Sequence, residues 1–93
     1  MIIKQEDMGN TGRFYIDIDG KTLAEMDYNI SGDILLVTHT EVNESLAGKG
    51  IGKQLVNSAV DYVRTNSMHI KSVCPFAKKV LERGPGYSDI YIS

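Results

Sequence analysis

One cysteine, two histidines and two prolines stand among 93 residues, and each shortage closes off a class of chemistry. Cys74, being alone, can form no internal disulfide and no cysteine-based metal site. His39 and His69 are far apart in sequence, so no metal is expected. An excess of positive charge is also missing: ten Lys and Arg face twelve Asp and Glu, for a net charge of -2. A general binder of nucleic acid or of anionic membranes needs a basic excess, so neither partner is expected. A local basic cluster for one anionic cofactor is still compatible with that balance. Long apolar runs are absent, and the longest, Ile34 to Val37, is far too short to span a bilayer. At the N-terminus, Glu6 and Asp7 fall where a signal peptide needs its apolar segment. These absences lead to the expectation of a soluble, cytoplasmic monomer.

What is present suits a folded globule: 42% of the residues are hydrophobic and 24% charged. The length fits one domain, residues 1–93, with little more than one layer of helices on one sheet. Arg13 to Ile18 ends in apolar–polar alternation, and Asp19-Gly20 is a hairpin-turn signal leading into a returning strand, Lys21 to Asn29. After a second turn at Ser31-Gly32-Asp33, Ile34 to Val42 begins as a continuous apolar stretch and ends in β-branched residues. That pattern predicts a central strand buried on both faces, the third of an antiparallel meander. From Ile51 the period changes to four: Ile51, Leu55, Ala59 and Val63 recur on one side of an amphipathic helix that closes near Asn66-Ser67. Met68 to Val73 reads as another strand. Pro75 then takes the first position of a short helix, Phe76 to Leu81, stopped by Arg83-Gly84-Pro85-Gly86. Tyr87 to Ser93 forms a last edge strand or a packed tail. The fold class is α+β, a mostly antiparallel sheet with one long and one short helix.

Between strand and long helix lies Gly48-Lys49-Gly50-Ile51-Gly52-Lys53. Three glycines weaken a helix start by roughly 1 kcal/mol each relative to alanine, so their use needs a reason. They let backbone N–H groups turn outward and let a bulky anion approach the main chain. The helix adds its unpaired first-turn N–H groups and the positive end of its dipole. Strand, glycine loop and helix start together make a phosphate site, with Lys49 and Lys53 beside it. A Walker A loop is excluded, because it needs glycine at Ala47 and Ser or Thr at Gln54. The dinucleotide fingerprint is excluded by the spacing of Gly48, Gly50 and Gly52. A glycine-rich connection without a ligand is the remaining alternative.

Val42 to Lys53 with the helix behind it resembles the acyl-CoA signature of the GNAT superfamily of N-acyltransferases: Arg or Gln, two residues, Gly, one residue, then Gly or Ala. Gly50 and Gly52 match, while Ala47 stands where Arg or Gln is usual. Thr38-His39-Thr40-Glu41-Val42, the glycine loop, Cys74-Pro75-Phe76 and Pro85-Gly86-Tyr87-Ser88-Asp89 follow in the order of the very small, YjdJ-like subfamily of N-acetyltransferase-domain proteins. The resemblance implies a minimal GNAT-like fold and acetyl-CoA or coenzyme A as cofactor. It implies that the backbone of Thr40, Glu41 and Val42 runs beside the pantetheine arm and that Gly48, Lys49, Gly50, Ile51, Gly52 and Lys53 wrap the pyrophosphate. Phe76 and Lys79 would complete the site, the lysine toward the adenosine-side phosphates or merely on a solvated helix face. Larger relatives carry helices after the first strand. Only the Gly9-Asn10-Thr11-Gly12 turn stands there, so the acceptor groove should be open, to a protein or small-molecule amine or to none.

Acyl transfer to an amine needs a base, a polarised carbonyl and a stabilised thiolate. As the cap before Pro75, Cys74 is a candidate nucleophile or a thiol poised beside the cofactor sulfur, its acidity raised by the helix dipole. The alternative is a small apolar residue at a strand end. His39, sharing a strand face with Leu35, Val37 and Glu41 by alternation, is the candidate general base or a histidine satisfied within the sheet. The function implied is acetyl-CoA-dependent N-acetyl transfer; the alternative is a non-catalytic acyl-CoA-binding or sensing module.

Overall fold

In a computed structural model describing all residues from Met1 to Ser93, five strands and two helices follow in the order β1 (Lys4–Asp7), β2 (Thr11–Ile18), β3 (Lys21–Ser31), β4 (Ile34–Val42), α1 (Ile51–Thr65), β5 (His69–Ser72) and α2 (Pro75–Arg83). A single 3-10 turn, Glu44–Leu46, lies between β4 and α1. The strands lie side by side in chain order; β1 to β4 are antiparallel, and β5 runs parallel to β4 after the crossover through α1. No helix lies between β1 and β2. No helix is long and apolar enough to cross a membrane.

Local sequence explains the connections. Asp19 and Gly20 both take positive φ, 52° and 77°, the geometry of a two-residue hairpin whose twist matches its strands. α1 stops where Asn66 turns its side-chain amide back onto the Tyr62 carbonyl at 2.8 Å and Ser67 takes φ 55°. The Met68 N–H then reaches the Val63 carbonyl at 2.7 Å, closing the last turn. Pro75 opens α2, as its missing N–H and fixed φ allow.

The core lies between one face of the sheet and the helices. Phe14, Ile16, Ala24, Met26, Tyr28, Leu35, Val37 and Ile70 face Leu55, Val56, Ala59, Val60 and Val63 of α1, all buried. The tail runs along the outer side of β5: Ile70 donates to Ile90 O at 2.8 Å and Ile92 donates to Ile70 O at 2.9 Å. Tyr87 and Ile90 are buried, the Tyr87 hydroxyl donates to Asn57 Oδ1 at 2.6 Å, and Arg64 pairs with Asp89 at 3.0 Å. That edge is thereby closed, whereas β1 leaves the other edge free and exposed along its length.

β4 departs from the reading of a strand buried on both faces. Leu35 and Val37 are buried, but Ile34, Leu36 and Thr38 are only half-buried. The helices cover one face of the sheet, and no second layer lies on the other. A register shift also divides the strand. Tyr28 pairs with Val37 and Asp27 with His39, leaving Thr38 as an extra residue whose hydroxyl donates to Asp27 O at 3.2 Å. Beyond this bulge the parity is reversed. Thr40 and Val42 pair with Met26 and Ala24 and face the helices, while His39 and Glu41 pair with Asp27 and Glu25 on the bare face. His39 thus does not share a face with Leu35 and Val37, as plain alternation predicts; the extra residue accounts for the difference.

Candidate functional site

β4 and β5 pair only from Ile34–Val37 to His69–Ser72, and the last bond between them runs from Val73 N to Val37 O at 3.0 Å. Past this point the chain turns away into α2. The second half of β4 therefore has no strand neighbour on that side, and its edge is left to other partners. A cleft of about 530 Å³ opens there, walled by Thr40 and Val42 of β4, by Leu46 and the loop Ala47 to Lys53, and by Phe76 and Val80 of α2.

The loop residues do different jobs. Gly48 and Gly50 have φ of 77° and 69°, and nothing lies within 4 Å of where a side chain would begin. They are needed for backbone conformation, which costs about 1–2 kcal/mol in other residues. Gly50 is the N-cap of α1 and supplies no side-chain acceptor, so the first N–H groups of the helix are uncapped at the cleft wall. Gly52 has another reason: a Cβ there would stand 2.5 Å from Cζ of Phe76. The aromatic ring lies directly over this glycine and remains partly exposed, forming part of the cleft wall. Asn43 fixes the approach to the loop by accepting from Ser45 N–H at 2.9 Å.

Cys74 is the N-cap of α2, is 7% exposed, and adjoins the cleft through Thr40, whose Oγ1 lies 3.5 Å from Sγ. Burial pushes the thiol up, but the N–H of Ala77, the Thr40 side chain and the N–H of Phe76 outweigh it, so the thiol lies below its ordinary value. No cap hydrogen bond is formed by the side chain, so the N–H groups act on sulfur as nearby dipoles. The Ser72 hydroxyl holds the Cys74 carbonyl at 2.8 Å and keeps this strand-to-helix joint in place.

Of the residues read as one site, Thr40, Val42, Gly48, Gly50, Ile51, Gly52, Lys53 and Phe76 come together around the cleft. Lys49 is exposed and does not line it. Lys79 lies in an adjoining groove with Lys53 and Arg83. His39 and Glu41 are exposed on the bare face, His39 Nε2 3.7 Å from Glu41 Oε2. Sequence reasoning missed Asp27, half-buried opposite His39, whose carboxyl is pushed up to about 6 by burial and by the neighbouring Glu25. The alternating pattern of β3 put an acidic residue there but could not show which residue of β4 it meets. Arg83 was missed as a site residue, although its place four residues after Lys79 puts the two on one helix face.

A mixed sheet whose interior strand loses its neighbour beside an uncapped, glycine-started helix defines an α+β protein with a cleft at that edge. The family model described as GCN5-related N-acetyl-transferase matches residues 13–90, and the chain belongs to this family. A solution structure of a GCN5-like protein from Staphylococcus aureus is similar at 34% identity and a TM-score of 0.76, covering 97% of this chain and 88% of that one. The ribosomal-protein-alanine N-acetyltransferase from Brucella melitensis biovar Abortus 2308 shares the fold at 18% identity and a TM-score of 0.69, over 83% of this chain and 62% of that one. The ribosomal-protein-S18-alanine N-acetyltransferase from Escherichia coli does so at 15% identity and 0.61, over 69% and 42%. This chain spans less than two thirds of those two enzymes. No curated protein matches the sequence significantly.

Proposed function

We propose that residues 1–93 form a single domain that binds acetyl-CoA in the cleft and transfers its acetyl group to an amine. The uncapped start of α1 carries this reading: N–H groups without intrahelical partners, reached through two left-handed glycines, suit a pyrophosphate. Thr40 and Val42 on the unpaired edge of β4 suit an extended pantetheine arm, which main-chain groups can hold as they would a strand. Glu41, on the same edge, contributes its backbone only, since its carboxylate belongs to the other face. In the reaction the amine nitrogen bonds to the thioester carbonyl, the C–S bond breaks, and the proton lost by the amine ends on the departing thiolate. Cys74, buried beside Thr40 with lowered pKa, is the group best placed to exchange a proton with that sulfur or to accept the acetyl group itself. His39 is the candidate base for an amine arriving over the bare face, with the Glu41 carboxylate 3.7 Å from its Nε2. With no helix between β1 and β2 that side is open, which suits a protein-borne or small-molecule amine.

One observation favours a second reading, a module that binds or senses acyl-CoA without turnover: His39 and Cys74 belong to opposite faces of the sheet. Titration of labelled protein with acetyl-CoA tests the shared claim. Amide shifts are expected at Gly48 to Lys53, and their absence at about 1 mM ligand, a free energy of only about -4 kcal/mol, overturns both readings. The intact mass of the same sample reports on Cys74. An acetyl adduct lost in Cys74→Ala supports acyl-cysteine formation, and turnover on an amine without any adduct supports direct transfer.

A further inference from the structure

The free edge of the sheet has an order of its own. Met8 N–H donates to Thr11 O at 2.8 Å, and Ile30 N–H donates to Asn10 O at 2.6 Å, so Thr11 faces β1 and Asn10 faces β3. Bonding alternates along a strand, and Lys4, Glu6 and Met8 therefore turn their main-chain groups toward β2. Ile3, Gln5 and Asp7 turn theirs outward, where no strand of the chain meets them. The side chains alternate as well. Gln5 donates to the Tyr28 hydroxyl and Ile3 packs on the core, whereas Glu6 meets Arg13 on the bare face. Ile2, Lys4 and Met8 belong with Glu6 on that face. Among the large apolar side chains left exposed, Ile2 at 77% and Met8 at 60% flank this one strand. An edge built to stay alone avoids apolar residues at its two ends.

We propose that β1 pairs antiparallel with β1 of a second copy of this chain, joining two sheets into one across a two-fold axis at Gln5. Composition led to the expectation of a monomer; the order of residues along this edge points to a dimer. Only outward-turned residues can exchange hydrogen bonds, so Ile3, Gln5 and Asp7 must meet the same set in the partner. Three registers pair Gln5 with one of these residues, and charge decides among them. Gln5 opposite the partner's Ile3 sets Lys4 directly across from the partner's Lys4. Gln5 opposite the partner's Asp7 sets Glu6 across from the partner's Glu6. Like charges directly opposite are unfavourable. With Gln5 opposite the partner's Gln5, Lys4 faces the partner's Glu6 and Ile2 faces the partner's Met8. Opposite charges then meet and both exposed apolar ends are covered. The other outer edge is covered by the tail at Ile70, and the unpaired length of β4 is recessed between the glycine loop and α2. The contact therefore closes at two copies and does not propagate. A strand of four residues buries less than a standard interface, so the dimer is weak and concentration-dependent. None of this rests on the acetyl-CoA reading.

Sedimentation equilibrium from about 10 μM to about 1 mM tests this on the intact chain. The average mass is expected to rise from that of one chain, 10.3 kDa, toward that of two. Lys4→Glu puts like charges across the pairing and should raise the dissociation constant at least about tenfold. Glu6→Lys should do the same. Mixing the two variants restores opposite charges at every such pair, so the mixture should dimerise as the unaltered protein does. Both positions are exposed, and a cooperative circular dichroism melt confirms that each variant is folded. Lys4 makes no ion pair, so Lys4→Glu alone decides the matter if Glu6→Lys, which gives up Arg13, does not fold. Amide exchange reads the register: dilution should speed exchange at Gln5 and Asp7 and leave Glu6, bonded to β2, unchanged. A mass that stays at one chain up to about 1 mM overturns the proposal and leaves the edge to a foreign strand or to none. So does a dimer that Lys4→Glu does not weaken, or one that two folded variants do not restore on mixing.

Discussion

From Ile34 to Val37, β4 has a strand on each side, and its inward side chains Leu35 and Val37 are fully buried. From Thr38 to Val42 it keeps β3 but has lost β5, and its inward side chains, Thr40 and Val42, border an open cleft. Two small events separate the halves: one extra residue at the bulge and the end of β5 at Ser72. The first half holds the fold together and the second leaves an edge open along the cleft. A site can therefore be made within one regular strand by withdrawing a neighbour, without a long loop to carry it.

The largest effect expected of that division is on stability. Leu35→Ala should cost about 2–5 kcal/mol, because it leaves a cavity at a fully buried position. Val42→Ala, at a half-buried position, should cost only about 1 kcal/mol. Urea unfolding measures both, and calorimetry should show weaker acetyl-CoA binding only in the Val42 variant. Equal stability losses, or weaker binding in both folded variants, would erase the distinction between the halves. Next in size is Gly50→Ala, which forces a Cβ into the left-handed region at a cost of about 1–2 kcal/mol. Gly9→Ala, at φ 87° in the β1–β2 turn, is the control. Similar stability losses are expected, but acetyl-CoA affinity should fall only for Gly50. The smallest effect concerns the bare side of the bulge. The Asp27 carboxyl is raised from 3.8 to about 6, chiefly by burial and by Glu25, so the folded state holds its proton more tightly than the unfolded chain. The stability it contributes is complete below 3.8 and is lost as the pH rises through about 6. Asp27→Asn should flatten that part of the stability–pH curve by less than about 1 kcal/mol, since the group is only half-buried and solvent screens much of the effect. An unchanged difference between the two proteins from pH 4 to pH 7 would refute it.

The long helix, its Asn66-Ser67 end, the Asp19-Gly20 hairpin and Pro75 as a helix start were all legible in the sequence, because each depends on neighbours a few residues away. The open glycine loop at the start of that helix was legible too, while the reading of Gly48 to Lys53 as an acyl-CoA site came only from the resemblance. The bulge at Thr38 was not legible: threonine suits a regular strand, and nothing in Thr38-His39-Thr40 marks an extra residue. His39 therefore looked as though it faced inward. The apolar run Ile34 to Val37 suggested two covered faces, yet a chain this short has helices for only one. Lys53, Lys79 and Arg83 meet across two helices, a long-range coincidence that no local pattern encodes.

Gly52 and Phe76 have a consequence for how such chains can vary. The family signature allows glycine or alanine at the place of Gly52, but here a ring lies 2.5 Å from the methyl group that alanine would add. Gly52 is not free to drift alone. A methyl group gained at 52 needs a smaller or swung-out residue at 76, and any descendant lineage has to cross that step with both changes or with the aromatic one first.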